Sequence, residues 1–229
     1  MRTFQEHISV VIPTLNAADH LPGALGALAN SPIVRQIVVA DCGSHDRTVA
    51  IAGAAGAVVI SAERGRGSQL RAGAAAASAE WLLFLHADCR LSPGWGAAVG
   101  AFFAKPDAAS RAGYFAFALD DPRPAARRLE RMVAWRCRAL GLPYGDQGLL
   151  IARSLYDAVG GFAALPLMED VEFVRRLGQH RLAPIAACAV SSARRYRTGG
   201  YVRRPMRNLL CLSLYFAGVP PRRIARLYG

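Results

Sequence analysis

Lysine is almost absent from this chain of 229 residues, in which Lys105 is the single example. A Walker A phosphate-binding loop requires a Gly-Lys-Ser/Thr segment, so this class of nucleotide site is excluded. Schiff-base chemistry on lysine is not expected either, because Lys105 stands next to Pro106 in an expected loop.

Paired cysteines and long apolar runs are lacking as well. The five cysteines are scattered and form no Cys-x-x-Cys pair, which argues against a disulfide framework or a zinc site. No apolar run of about 18 residues occurs, so no transmembrane helix is expected. Since the first residues show no signal-peptide pattern, we expect a cytoplasmic protein.

Acidic residues are missing from the last quarter of the chain. Residues 1–172 hold 16 basic and 16 acidic residues, whereas residues 173–229 hold 12 arginines and no Asp or Glu. The formal charge of +12 therefore comes entirely from the last quarter. No helix-turn-helix, zinc-finger or RNP pattern accompanies this charge, so nucleic acid is not an expected partner.

Short apolar runs alternate with helical segments in the first half. Strands are predicted at residues 8–13, 36–40, 57–60 and 81–85. Helices are predicted at residues 21–30, 46–55 and 68–79, the first with Asp19 as its N-cap. Continuous apolar runs indicate strands covered on both faces, as in mostly parallel sheets built from βαβ units. In such sheets ligands bind beyond the carboxyl ends of the strands.

The second half has a less regular pattern. Strands are predicted at residues 113–119, 149–152 and 181–192, and helices at residues 124–140, 169–180, 201–218 and 221–228. We expect one α/β domain over residues 1–198, with helices flanking a central sheet. Residues 199–229 are expected to form a basic, apolar helical appendage packed on the same domain.

Two aspartates and a histidine stand where predicted strands end. Asp41 could accept hydrogen bonds from a ribose or a base, or it could bond the backbone of its own turn. The carboxylate of Asp88 suits Mg²⁺ or Mn²⁺. His86 lies two residues earlier and would face the same side on a strand. His86 is therefore either a second metal ligand or a hydrogen-bonded structural histidine.

Three further segments carry candidate functional residues. Arg64 and Arg66 precede a predicted helix, where a diphosphate could bind; a solvated basic turn is the alternative. Glu169 and Asp170 open another helix, where acidic residues are ordinary stabilisers. Asp170 near Asp88 could instead act as a general base. The segment Gly145–Gly148 is either a turn or a polar edge that contacts substrate.

Taken in order, four segments resemble glycosyltransferase family 2, whose members have the GT-A fold. They match the family's nucleoside loop, its Asp-rich nucleoside segment, its D-x-D metal motif and its E-D motif, at residues 8–16, 41–48, 84–88 and 167–170. The resemblance covers about residues 7–198. Within the family the chain looks closest to a small, single-domain bacterial subgroup with H-A-D, G-D-Q-G and P-L-M-E-D-V-E motifs, which stand here at residues 86–88, 145–148 and 166–172.

The resemblance implies a non-processive, metal-assisted, inverting transfer of a sugar from a nucleotide-diphospho-sugar to an acceptor hydroxyl. It implies Asp170 as the catalytic base, and Asp88 with His86 as ligands of Mn²⁺ or Mg²⁺. The donor would be held by Pro13, Thr14, Asn16, Asp41, Arg66 and Asp88. Acceptor contact or support of the site would fall to Asp146, Gln147 and Glu169.

Two departures from the family pattern shape the alternatives. Because His86 replaces the first acid of D-x-D, a non-catalytic module that binds a sugar nucleotide or a membrane surface stays open. The Q-x-x-R-W motif of processive synthases is absent. A nucleotidyltransferase is a weaker alternative, since the residues after Pro13 lack its basic, glycine-rich signature.

The basic C-terminal segment has two interpretations. The apolar run Leu209–Phe216 lies beside Arg203, Arg204 and Arg207, which suits peripheral contact with an anionic membrane and an acceptor carried on lipid. Alternatively, the apolar face packs on the core, and the arginines are solvated or meet the phosphates of the donor.

Overall fold

In a computed structural model, which describes residues 6–228, the four apolar runs of the first half form neighbouring parallel strands. They are β1 (Ile8–Thr14), β2 (Val34–Asp41), β3 (Val58–Ser61) and β4 (Trp81–Phe84). The sheet begins in the order β3-β2-β1-β4. The apolar residues of β1 are fully buried up to Ile12, as expected for a strand covered on both faces.

Three helices connect these strands: α1 (Leu21–Leu28), α2 (Thr48–Ala54) and α3 (Arg66–Ala76). The prediction that Asp19 caps α1 is wrong, because His20 occupies the N-cap position and makes no side-chain capping bond. The Asp19 carboxylate instead pairs with Arg194, at 3.0 Å. This partner lies 175 residues away in the sequence, so no local pattern could have indicated it.

The second half completes the sheet with four more strands. Its elements are β5 (Cys89–Leu91), α4 (Trp95–Phe103), β6 (Ala112–Leu119), α5 (Pro124–Leu140), β7 (Leu149–Ala152), α6 (Arg153–Ala158), α7 (Glu169–Leu177) and β8 (Leu182–Ser191). The order continues β4-β7-β6-β8-β5. Strand β7 is antiparallel to β4 and β6, and β5 is antiparallel to β8, so the sheet is mixed.

Three helices follow the sheet: α8 (Arg194–Gly199), α9 (Arg203–Phe216) and α10 (Pro221–Tyr228). Cys211, Leu212 and Ile224 are buried in one cluster with Val171 and Val174 of α7. The C-terminal helices thus share an apolar core with α7. The suggested boundary at residue 198 lies inside α8.

A buried carboxylate ties the first of these helices to the sheet. Asp121, just beyond β6, accepts hydrogen bonds from the guanidinium groups of Arg123 and Arg197 and from the hydroxyl of Tyr201. These bonds lower the pKa of Asp121 below its ordinary value, the Arg123 bond most and the Tyr201 bond next. The helix α8, through Arg197, and Tyr201 just beyond it are therefore anchored to one ionised side chain.

Candidate active site

The carboxyl ends of β1, β2 and β4 border a cleft of about 790 Å³. The last two residues of β1 and the loop that follows, together Pro13–Ala17, line it with Arg64–Arg66 and the segment His86–Asp88 after β4. Arg204 and Arg207 of α9 line it as well. Residues from the start and the end of the chain thus border one cleft. The cleft lies at the carboxyl ends of the strands, where sheets of this kind bind ligands.

A second cavity of about 110 Å³ adjoins the cleft. Both are lined by Arg66, His86 and Asp88, and the second cavity extends to Asp146 and Asp170. The structure therefore brings the candidate metal ligands and the candidate base around one connected space. The segment His86–Asp88 lies where the two parts meet.

The loops after β1 and β2 hold each other in place. The Asn16 backbone N–H donates to Ser44 Oγ at 2.8 Å, and the His45 N–H donates to Asn16 Oδ1 at 2.9 Å. Gln69 on α3 is buried and donates from Nε2 to the carbonyl oxygens of Thr14 and Ala40, both at 2.8 Å. Gln69 thereby spans the ends of two neighbouring strands, a role that its sequence context did not indicate.

Asp41 lies beneath the cleft rather than on its surface. Its carboxylate accepts hydrogen bonds from the Thr14 and Ser44 hydroxyls and from the Gly43 and Ser44 N–H groups. Burial raises the pKa of Asp41, but these four bonds outweigh burial and lower it overall. Since they use both oxygens fully, the geometry favours the turn interpretation of Asp41 over contact with a nucleoside base.

Asp88 and His86 have different charge states at neutral pH. Burial raises the pKa of Asp88, but His86 and the cations Arg195 and Arg66 bring it below its ordinary value, so this carboxylate is ionised. Arg195 Nη1 lies 3.8 Å from Asp88 Oδ2. Burial lowers the pKa of His86 to about 4, so the imidazole is neutral. A neutral imidazole and an ionised carboxylate are the forms in which both groups bind metals.

Cys89 is the third residue near this pair. His86, Asp88 and Cys89 have ligand atoms within 4.8 Å of one another. The Cys89 thiol is fully buried, which raises its pKa, and it donates to the Asp146 carbonyl oxygen at 3.4 Å. Because the thiolate is the form that binds metals, Cys89 fits a structural role better than a ligand role.

Asp170 lies in the first turn of α7 with its carboxylate oriented by two N–H groups. Oδ2 accepts from the Gly145 N–H and Oδ1 from the Val171 N–H, both at 2.8 Å. Gly145 packs directly on the imidazole of His86, which leaves no space for a side chain at this position. The turn Gly145–Gln147 therefore connects the candidate base to the candidate metal ligand.

Glu169, next to Asp170, is 1% exposed. Its Oε1 lies 3.8 Å from Arg66 Nε. Burial raises the pKa of Glu169 to about 8, and the charge of Asp170 adds to the effect. Glu169 is therefore mainly protonated at neutral pH and adds little negative charge beside Asp170.

Asp146 and Gln147 have separate places in the site. Asp146 lines the smaller cavity, and burial, with contributions from Asp170 and Asp88, raises its pKa to about 6. Gln147 faces the core, where Oε1 accepts from Arg136 Nη2 at 3.1 Å and Nε2 donates to the Phe115 carbonyl oxygen at 3.0 Å. Gln147 thus supports the turn that carries Asp146.

The site includes residues that sequence reasoning missed. Tyr144, Arg195 and Asn208 line the smaller cavity. Arg204, for which contact with the donor phosphates was one of two interpretations, lines it as well. The arginine content of the last quarter was the only signal for Arg195. Arg195 lies beside Asp88 because the chain returns to the sheet edge after β8.

A tight backbone contact joins the two sides of the site. The Gly67 N–H donates to the Leu165 carbonyl oxygen at 3.0 Å, and a Cβ at position 67 would overlap the Ala163 carbonyl oxygen. The start of α3, which carries Arg66, therefore lies directly against the segment that leads to Asp170.

The sequence profile described as "Glycosyl transferase family 2" matches residues 9–166, more than half of the chain. The chain belongs to glycosyltransferase family 2. The expected family, the GT-A fold and glycosyltransferase activity are thereby confirmed. No curated protein sequence matches this glycosyltransferase.

Solved structures resemble the glycosyltransferase over most of its length. One is S. aureus TarS 1–349 in complex with UDP-GlcNAc, with a TM-score of 0.65, 16% identity and coverage of 97% of this chain and 70% of TarS 1–349. Another is glucosyl-3-phosphoglycerate synthase from Mycobacterium tuberculosis in complex with Mn²⁺, UDP-glucose and phosphoglyceric acid. It has a TM-score of 0.59 and 20% identity, and the match covers 94% of this chain and 81% of the synthase. At these identities the likeness establishes the shared fold.

Proposed function

We propose that this glycosyltransferase moves a sugar from a nucleotide-diphospho-sugar to an acceptor hydroxyl in one inverting, non-processive step. The observation that carries the proposal is the pair of connected cavities that meet at Asp88, with Asp170 on the smaller one. Such an arrangement suits a donor in the larger cleft, its diphosphate near Asp88 and Arg66, and an acceptor beside Asp170.

We infer a uridine-diphosphate sugar as the donor class. The TarS structure contains UDP-GlcNAc, and the structure of the mycobacterial synthase contains UDP-glucose. In this chain the cleft has the basic lining that a diphosphate requires, from Arg64, Arg66, Arg195, Arg204 and Arg207. Pro13, Thr14 and Asn16 are on the lining of the same cleft, where the nucleoside would bind.

A divalent cation, Mn²⁺ or Mg²⁺, fits the residues at the junction. Asp88 offers an ionised carboxylate, and His86 offers a neutral imidazole with a ring nitrogen within 4.8 Å of the ligand atoms of Asp88 and Cys89. When bound, the cation would offset the negative charge that develops on the departing nucleoside diphosphate. Arg66 and Arg195 would add to this stabilisation from the chain itself.

Asp170 acts as the general base in the proposed step. Its carboxylate takes the proton of the acceptor hydroxyl, whose oxygen then bonds to the anomeric carbon from the face opposite the diphosphate. The bond between the anomeric carbon and the diphosphate oxygen breaks in the same step, so the anomeric configuration inverts. The N–H groups of Gly145 and Val171 hold the carboxylate in place for this role.

The decisive experiment compares Asp170→Asn with Glu172→Gln. Glu172 carries the same charge on the same helix but pairs with Arg176 away from the cavity, so its variant is a matched control. Release of UDP from UDP-glucose or UDP-GlcNAc is measured with Mn²⁺, water serving as the acceptor. We expect Asp170→Asn to lose roughly 10²–10⁴-fold in turnover, with donor-induced thermal stabilisation retained.

The same assay separates the alternatives. Turnover by Asp170→Asn at the wild-type rate would rule out Asp170 as the base. Donor binding without UDP release by the wild-type protein would favour a non-catalytic sugar-nucleotide module. In a parallel reaction with UTP and a sugar 1-phosphate, release of pyrophosphate would indicate nucleotidyl transfer.

A further inference from the structure

The outward surface of α9 carries an apolar stripe that the fold does not cover. We define the α9 stripe as Val202, which directly precedes the helix, and Met206, Leu209 and Leu210 on it; these four residues are between 53% and 75% exposed. Their spacing of three to four residues, or multiples of it, places them along one side of the helix. Single exposed apolar residues are common, but a continuous stripe on one helix indicates an interaction surface.

Packing on the core does not account for this stripe. The opposite side of α9 already contributes its own apolar residues, Cys211 and Leu212, to the cluster with Val171 and Val174. The helix therefore has one apolar side facing the core and a second one facing outward. No described helix is both long and apolar enough to span a bilayer.

The charges around the α9 stripe are of one sign. Arg203, Arg222, Arg223 and Arg226 on α9 and α10 are exposed and form no ion pair with any described carboxylate. Residues 173–229 contain no acidic residue that could neutralise them. Exposed apolar side chains flanked by unpaired arginines match the interface of a bilayer that contains anionic lipids.

We propose that the α9 stripe and its flanking arginines seat the enzyme on an anionic membrane surface. A second copy of the chain fits the stripe less well. A two-fold interface would bring the same arginines of both copies together, and residues 173–229 supply no acidic residue to offset their repulsion.

The inner side of α9 connects the proposed membrane contact to the acceptor, an argument that rests on the proposed function. Arg204 and Asn208, one turn apart, line the cavity that contains Asp170. The helix that would lie on the lipid surface is therefore also a wall of the proposed acceptor cavity. An acceptor hydroxyl carried by a lipid headgroup would enter the cavity past this helix.

The test is co-sedimentation of the full-length protein with vesicles, without donor or acceptor. Vesicles of phosphatidylcholine alone are compared with vesicles that also contain phosphatidylglycerol, at low and at high salt. We expect binding to the anionic vesicles at low salt and its loss at high salt, because exposed charges are screened there. The variant Leu209→Gln/Leu210→Gln should bind these vesicles at least about tenfold more weakly.

A second exposed apolar pair supplies the matched control. Met132 and Trp135 on α5 are 61% and 60% exposed and lie beside Arg128 and Arg131. Met132→Gln/Trp135→Gln should bind anionic vesicles like the wild-type protein. Since all four substituted residues are exposed, unchanged thermal unfolding of both variants is expected and is checked first.

Three results would overturn the proposal. They are no binding of the wild-type protein to anionic vesicles at low salt, wild-type binding by Leu209→Gln/Leu210→Gln, and loss of binding by the α5 variant alone. Sedimentation velocity is run in parallel. A dimer that Leu209→Gln/Leu210→Gln dissociates, with no vesicle binding, would assign the stripe to a second copy. Failure of the Asp170→Asn prediction would leave the vesicle result unaffected, because vesicle binding needs no turnover.

Discussion

Glu169 and Asp170 are consecutive residues whose carboxyl groups have different surroundings. Asp170 accepts two backbone hydrogen bonds at the edge of a cavity, whereas Glu169 is buried against α3 near Arg66. The raised pKa of Glu169 keeps its carboxyl mainly protonated at neutral pH, so Glu169 adds little negative charge beside Asp170. The proton affinity of a base depends on whether the carboxyl group beside it is neutral or ionised.

The buried Glu169 should make stability depend on pH. Its pKa is about 8 in the folded protein against an ordinary value of 4.5, so the folded state binds more protons than the unfolded state between these values. Stability is therefore lost as the pH rises through this range. Glu169→Gln has no carboxyl group to ionise at this position, so it does not lose this stability. It should be more stable than the wild-type protein at pH 9 by roughly 2–4 kcal/mol.

Urea unfolding at pH 5, 7 and 9, with chelator present, measures this effect. The difference in the free energy of unfolding between Glu169→Gln and the wild-type protein should be small at pH 5 and should grow toward pH 9. A wild-type protein at least as stable as Glu169→Gln at pH 9 would contradict the assignment of a buried, protonated Glu169.

Asp88 supplies the anionic ligand in the proposed metal site. Asp88→Asn removes that charge, so the additional thermal stabilisation that Mn²⁺ gives in the presence of UDP should disappear. The control Asp107→Asn removes an exposed carboxylate that pairs with Arg111 outside the site and should retain the Mn²⁺ effect. An undiminished Mn²⁺ effect in Asp88→Asn would place the metal elsewhere.

The sequence predicted the candidate site best where its residues directly follow strands. His86 and Asp88 lie together at the sheet edge because β4 ends just before them, and both border the cleft. Arg204 and Asn208 reach the same space only through the packing of α9, which no local pattern encodes. The assigned roles of the site residues remain predictions, Asp41 among them.

At the scale of elements, α8 depends on Asp121. The hydrogen bonds from Arg123, Tyr201 and Arg197 lower the pKa of Asp121, so their contribution to stability is present above the ordinary value of 3.8 and is lost as the pH falls below it. Asp121→Asn should lower the melting temperature at pH 7, and the deficit should shrink toward pH 3. Melting curves of both proteins across this range test the prediction. A deficit that stays constant with pH would indicate that the charge of Asp121 is not involved.

Elements with a clear period or composition were predicted accurately. The helix at residues 124–140 and the strand at residues 149–152 have the expected bounds, because one is amphipathic and the other continuously apolar. The helix α4 was not predicted. Its sequence WGAAVGAFF contains two glycines and apolar residues on all sides, so it has no helical period to detect.

At the scale of the whole molecule, α9 and α10 should unfold together with the sheet. Ile224 on α10 is fully buried in the cluster that includes α7. Ile224→Ala should cost about 2–5 kcal/mol and lower a single calorimetric transition. Leu227→Ala, on the exposed side of the same helix, should change stability by less than about 0.5 kcal/mol. A separate early transition in Ile224→Ala would instead indicate an independent C-terminal unit.

The arginines of the last quarter of the chain lie in two places in the fold. Arg195, Arg204 and Arg207 line the cleft, where an anionic donor is proposed, whereas Arg222 and Arg223 face outward. The two interpretations of the C-terminal segment therefore apply to different sides of it. One apolar side of α9 packs on the core. The α9 stripe, on the outward side, is the surface for which membrane contact is proposed.

The backbone contact at Gly67 bears on how substrate choice could change during evolution. It fixes the spacing between the start of α3, which carries Arg66, and the segment that leads to Asp170, the proposed base. Substitutions at Arg64 or Leu167, which line the cleft on either side, could diversify the partners without moving this joint. Variants that keep this contact would have to retain glycine at position 67.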